Sequence, residues 1–223
     1  MEIWIATGNP GKATEARRQL RRLMGAEAPR ISTLAELPGS VPADSEVIED
    51  APDFHGNAHK KAEAARIRLE HLGHRDPTLV LAEDSGLCVD ALGGAPGTAS
   101  ARYAGPGASD ADRIAKLLAE LEGCSDRRAR FVCSLVVLHV DGREFLAAEQ
   151  SCEGYILEQP IGANGFGYDP VFAPSALPEG LGIPARPLSF ACLTAEEKDR
   201  VSHRGKALEV LARRILGRDT HEA

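Results

Sequence analysis

Two apolar runs, ARFVCSLVVLHV over 129–140 and REFLAAEQSCEGYI over 143–156, are separated only by Asp141-Gly142. Asp-Gly supplies the positive-φ residues of a tight hairpin turn, so the runs read as two antiparallel strands. Elsewhere strand and helix patterns alternate, which alone would suggest a parallel sheet; a hairpin in the same chain makes the sheet mixed. The run Ile3–Ala6 precedes Ala13, Ala16, Leu20, Leu23 and Met24 at helical spacing. Residues 30–34 read as a strand. Phe54 to Leu72 reads as a helix with Phe54, Ala58, Ala62, Ala65, Leu69 and Leu72 on one stripe. Residues 79–92 read as two strands broken at Asp84-Ser85-Gly86, and 93–97 as a turn. Ser109 to Asp112 looks like the start of a helix carrying Ile114, Leu117, Leu118 and Leu121. Thr194 to Glu197 is a capping box, and Leu208, Leu211, Ala212, Ile215 and Leu216 form a last amphipathic helix. Residues 37–53 and the four-proline stretch 173–188 read as connections, and 218–223 as a disordered tail. The fold class is α/β.

A chain of 223 residues fits one large domain or two lobes sharing a sheet. Its net charge of −7 disfavours nucleic acid polymers and anionic membrane surfaces, both of which reward a basic face. A small anion needs only a local cluster of cations and is not excluded. The five cysteines are odd in number, scattered and without a C-x-x-C pair, which fits reduced thiols rather than a disulfide frame or zinc site. No membrane span or signal peptide is visible, so a cytoplasmic protein is expected.

Four segments hold residues suited to chemistry. Thr7-Gly8-Asn9-Pro10-Gly11-Lys12 joins a strand to a helix, where unpaired N–H groups and the dipole favour an anion. It is not a Walker A loop: two residues, not four, separate its glycines, and Ala13 follows the lysine. It reads equally as a phosphate cradle or as an ordinary turn with a surface lysine. Glu83-Asp84 at a strand end suits Mg²⁺ or a proton-accepting role, while Asp-Ser-Gly is also ordinary turn chemistry. Asn164-Gly-Phe-Gly-Tyr-Asp169 combines close-approach glycines with rings that could stack on a base, or simply pack. Lys198, Ser202, His203 and Arg204 offer cationic groups, or an exposed helical face. His55 and His59 lack the H-E-x-x-H pattern of a metal site.

Taken in order, TGNPGK (7–12), EDSGLCVDALGGAPGTASARYAG (83–105), ARFVCSL (129–135), NGFGYDPVF (164–172) and LTAEEKDRVSHRGKAL (193–208) resemble the inosine-triphosphate pyrophosphatase family. The resemblance spans nearly the whole chain. It implies an elongated mixed sheet with flanking helices, in two lobes around a central cleft, as one domain over 1–217 and usually a homodimer. The implied reaction is Mg²⁺-dependent hydrolysis of non-canonical purine nucleoside triphosphates (ITP, dITP, XTP) to the monophosphate and pyrophosphate. By motif, residues Thr7 to Lys12 would bind the triphosphate, with Lys12 on its charge. Asp84 would be proton acceptor and Mg²⁺ ligand, and Glu49 the second metal acid. Ser85 would touch substrate, Phe166, Gly167, Tyr168 and Asp169 would enclose the base, and Lys198, His203 and Arg204 would complete the pocket. Metal coordination lowers a carboxylate's basicity, so Glu83 stands as an alternative base. Gly56, where many relatives have Glu, and Cys192 depart from the pattern. Two rival functions are an orthophosphate-releasing phosphohydrolase and a noncatalytic nucleotide sensor.

Overall fold

A computed structural model describes residues 1–37, 47–177 and 188–218 of the chain. In chain order they form β1 (Glu2–Ala6), α1 (Pro10–Met24), β2 (Arg30–Thr33), α2 (Phe54–His71), β3 (Thr78–Val89) and α3 (Asp110–Glu120). Then follow β4 (Arg128–His139), β5 (Glu144–Ile156), β6 (Phe172–Pro174), α4 (Ala195–Val201) and α5 (His203–Ile215). The strands make one six-stranded sheet in the order β2-β1-β3-β4-β5-β6. β1 pairs parallel with both β2 and β3, whereas β5 pairs antiparallel with β6, so the sheet is mixed as the hairpin demands. The turn between β4 and β5 closes through His139 N–H to the Arg143 carbonyl (2.8 Å) and Gly142 N–H to the His139 carbonyl (2.9 Å).

By compactness the chain divides into a first unit, Met1–Asp84, Cys133–Glu149 and Ala207–Ala223, and a second unit, Ser85–Val132 and Gln150–Lys206. In the first unit strand alternation sends side chains to two separate cores. Ile3, Ile5, Leu79, Leu81, Cys133, Leu135 and Val137 pack with Ala16, Leu20 and Met24 of α1 and Leu208 and Leu211 of α5. Trp4, Ala6, Val80, Ala82, Val136 and Leu138 pack instead with Ala58, Ala62, Ala65 and Leu69 of α2. The second unit has its own core, in which Leu87, Ile114, Leu117, Phe131, Ile156, Tyr168, Phe172 and Phe190 meet. Among the described residues no helix is long and apolar enough to cross a membrane.

Several expectations need correction. The break expected at Asp84-Ser85-Gly86 is absent: β3 runs unbroken for 12 residues. Turn chemistry is a local preference, and here sheet pairing and buried partners for Asp84 override it. The loop expected from residue 173 begins later, because Ala173 and Pro174 pair with Tyr155 and Gly154. Pro174 is tolerated there because β6 is an edge strand. Leu72 caps α2 and is exposed rather than joining its buried stripe. Arg218, assigned to the tail, pairs with Glu27 at 3.0 Å. The rest of that tail, 219–223, lies outside the described residues, as do 38–46 and 178–187 of the two proline-containing connections.

The expected capping box at Thr194 forms, and the expected helix start at Ser109 is a capping box as well. Ser109 and Asp112 start α3, and Thr194 and Glu197 start α4, each supplying reciprocal side-chain-to-backbone bonds. After seven residues α4 stops at Ser202, whose ψ of 154° leaves the helical region. The Ser202 hydroxyl accepts the Gly205 N–H at 3.0 Å and so caps α5. The junction has no room for a side chain at position 205: a Cβ there would stand 1.9 Å from the Asp199 carbonyl oxygen. Backbone on both sides would have to shift. Gly205→Ala is expected to lower stability by about 1–3 kcal/mol, read from urea unfolding midpoints. An unchanged midpoint would show that the junction is looser than this contact requires.

Candidate active site

The first unit carries the Thr7–Lys12 segment. Asn9 is the N-cap of α1, its side-chain oxygen accepting the N–H groups of Gly11 (2.9 Å) and Lys12 (3.2 Å). The Thr7 hydroxyl accepts the Asn9 N–H at 3.2 Å. Two of the helix-end donors expected to face an anion are thus held by Asn9 itself, and the positive side chain at this end is Lys12, paired with Glu83. Pro10 opens the helix, where its fixed φ suits the first turn and its missing N–H costs nothing.

Glu83 and Asp84 follow each other on β3 and therefore point to opposite faces of the sheet, as strand geometry requires. Glu83 lies on the α1 side. It pairs with Lys12 at 3.5 Å and accepts the Cys133 thiol at 3.7 Å. Asp84 lies on the α2 side, where Lys61 Nζ reaches Oδ1 at 3.0 Å and Asn57 Nδ2 donates to Oδ2 at 3.3 Å. The same Lys61 ammonium reaches Glu49 Oε2 at 3.0 Å. Asn57 also accepts the Ala51 N–H at 3.0 Å, which ties the segment carrying Glu49 to α2.

One ammonium shared by two carboxylates leaves this buried spot with a net negative charge. Burial accordingly pushes the Asp84 carboxyl above the ordinary range, a rise that Lys61 opposes and Glu49 reinforces. Burial works against the Lys61 ammonium too, but Asp84 and Glu49 outweigh it and hold its pKa above the usual value. Oxygen donors with excess negative charge suit a hard divalent cation, and Mg²⁺ commonly takes only one or two protein carboxylates beside substrate phosphates. No cluster of three or more His, Cys, Asp or Glu groups able to cage a metal occurs among the described residues.

Lys61 and Asn57 were not singled out from the sequence. The signal was present: both lie on the buried stripe of α2 with Ala58, Ala62 and Ala65. A lysine on such a stripe must find an anion, since charged groups are almost never buried unpaired. The departure at Gly56 also has a steric meaning. A Cβ at that position would sit 2.7 Å from the Ala51 Cβ and 3.1 Å from Asp53 Oδ1. Glycine lets residues 51–53 lie tightly on α2, next to Glu49 in sequence, and its N–H takes the Asp53 cap at 2.7 Å.

The second unit carries the other candidates. Lys198, His203 and Arg204 are not an exposed helical face: each is at most 5% exposed. Lys198 donates to Asp169 Oδ2 at 2.6 Å, and the same oxygen accepts the Phe166 N–H at 2.9 Å. Lys198 Nζ lies 4.9 Å from the centroid of the Phe166 ring, and the Arg204 guanidinium 5.7 Å. Arg204 also donates to the Ser85 hydroxyl at 3.2 Å. His203 stacks on Phe131, ring planes 9° apart at 4.7 Å. Tyr168 sits within the aromatic core, and its hydroxyl donates to the Ser100 carbonyl at 3.0 Å. Burial pushes that phenol well above its usual pKa. Phe166 is the more open of the two rings, flanked by two cations. Cys88, Cys133 and Cys152 are buried, and none of the five cysteines is in a disulfide. His55 and His59 have ring centroids 6.3 Å apart.

Known proteins match this chain along nearly its full length. Residues 3–214 fit the Ham1 family model. A dITP/XTP pyrophosphatase of Geobacillus kaustophilus is 44% identical over 94% of this chain and 92% of its own. One of Shouchella clausii is 40% identical over 97% of both chains. The Staphylococcus aureus Ham1 protein superposes with a TM-score of 0.76 at 34% identity, covering 97% of this chain and 99% of that one. The fold, the order of the motifs and these similarities agree: the chain belongs to the Ham1 family.

Proposed function

We propose that the protein hydrolyses non-canonical purine nucleoside triphosphates (dITP, XTP and ITP) to the monophosphate and pyrophosphate. The substrate class follows the curated dITP/XTP pyrophosphatase relatives. The observation that carries the chemistry is the Asp84–Lys61–Glu49 arrangement, in which a buried ammonium bridges buried Asp84 and part-exposed Glu49. A water oxygen attacks the α-phosphorus and the bond from that phosphorus to the α,β-bridging oxygen breaks. The water's proton passes to Asp84, with Glu83 as the alternative base because holding Mg²⁺ lowers the basicity of a carboxylate. Lys12, paired with Glu83, offsets the charge of the leaving pyrophosphate. Lys61 and Asn57 hold Asp84 in place. Mg²⁺ would be held by Asp84 and Glu49 and would supply Lewis-acid neutralisation of phosphoryl charge.

Phe166 provides the stacking surface for the base, and Arg204 a donor for the purine 6-carbonyl. Adenine presents an amino donor at that position and would be refused. The same reading makes the enzyme a cytoplasmic homodimer, a state that sedimentation velocity would report.

The decisive experiment incubates the purified protein with XTP and dITP, with ATP and GTP as controls, and identifies the products. XMP and pyrophosphate are expected, with no XDP or orthophosphate. Adding EDTA in excess of Mg²⁺ is expected to abolish turnover. XDP with orthophosphate would favour the phosphohydrolase alternative, and binding without turnover the sensor.

A further inference from the structure

We propose that Asp110 is a positioning residue for the base-binding loop, acting through the Gly167 amide; the inference rests on the pyrophosphatase reading above. Asp110 opens α3, where an acidic residue would ordinarily be explained by the helix dipole. Its contacts reach much further. Asp110 Oδ2 accepts the Gly167 N–H at 2.7 Å, across 57 residues of sequence. Its other oxygen pairs with Arg113, whose Nη1 donates to the Ala101 carbonyl at 2.6 Å. The carboxylate is thus fixed before it meets the loop.

Around Phe166 two successive amides are each held by a different aspartate. The Phe166 N–H goes to Asp169, a member of the loop, and the Gly167 N–H to Asp110, outside it. Gly167 has φ +62°, so the chain turns sharply just after the ring. Asp169 is in turn held by Lys198. At Gly167, just after the ring, the loop is held by the Asp110 carboxylate. Releasing it lets the peptide between Phe166 and Gly167 rotate and carries the ring away from Lys198 and Arg204. The effect falls on how the base is gripped, not on the groups that act at the phosphates.

Three variants separate this role from helix capping. Asp110→Ala removes the anchor. Asp110→Asn keeps a side-chain oxygen that can accept the amide. Ser109→Ala removes the α3 cap, whose hydroxyl accepts the Asp112 N–H, and leaves Asp110 intact. Asp110→Ala is expected to raise KM for XTP about tenfold with kcat within about twofold, the pattern of lost ground-state binding. Asp110→Asn is expected to restore KM, and Ser109→Ala to lower the thermal midpoint with KM unchanged. Hydrogen exchange of the 164–169 amides, followed by mass spectrometry, should speed up in Asp110→Ala alone. Wild-type KM and wild-type exchange in Asp110→Ala would overturn the proposal, as would a Ser109→Ala enzyme with the same KM defect. Failure of the wild type to release pyrophosphate would sink the functional reading, while the exchange measurement would still decide what Asp110 holds.

Discussion

Replacing Asp84 by Asn is expected to lower kcat for XTP by about 10²–10⁴-fold, the usual range for loss of a general base. The substitution keeps size and shape, so the buried site should persist. Lys61 would still have Glu49 at 3.0 Å, and a neutral amide would relieve the burial that pushes the Asp84 carboxyl upward. Lys61 and Asn57 both donate to Asp84, so one amide hydrogen of the asparagine would face a donor; stability should fall by about 1–3 kcal/mol while turnover fails, and the melt separates the two effects. Pyrophosphate release measured at saturating XTP and Mg²⁺, beside a thermal melt, reads both. A kcat within about threefold of wild type would remove Asp84 from the chemistry and move the base assignment to Glu83.

Lys61→Met is expected to produce the largest stability change. It strips the one ammonium from two carboxylates, and breaking a buried pair by removing one partner typically costs about 3–5 kcal/mol. The deficit should depend on pH in a defined direction. The folded-state pKa of Asp84 lies above its ordinary value because burial disfavours the charge. For such a group the stabilising protonated form is fully present at low pH and is lost as pH rises through the folded value. In Lys61→Met the same logic applies more strongly, because only the weaker pull of Lys12 remains to oppose burial. The penalty should be greatest near neutrality and shrink as pH falls into the carboxylate range. Lys61 itself has a raised pKa, so its contribution to the wild type is fully present below 10.5 and lost only at more alkaline pH. Urea unfolding of both proteins across this range checks the claim. An equal deficit at acid and neutral pH would mean that Lys61 stabilises by packing alone.

Some of the site was legible because its signals are local. A strand, a capping asparagine and a proline at the first helical turn lie within a few residues around Gly8, and both capping boxes sit within four. Other parts were hidden for physical reasons. Asp84-Ser85-Gly86 has turn composition, yet neighbouring strands and the Lys61–Asn57 pair hold it in a continuous strand. A search for apolar period passes over Lys61, because it marks which face is buried and not which polar residue that face carries. Lys198, His203 and Arg204 looked exposed until Asp169, Phe131 and Phe166 gave them partners 29 to 72 positions away along the chain.

Chain chemistry alone settled the alternation of strands and helices, the mixed sheet, and the residue types from which a triphosphate site could be made. Those follow from side-chain period, turn residues and caps, which act over a few positions. Folding decided which carboxylate meets which cation. Glu83 turns to Lys12 and Asp84 to Lys61 because adjacent strand residues face opposite sides, and each side is packed against a different helix. Burial then sets the charge each group can carry, and burial belongs to the assembled core rather than to any stretch of sequence.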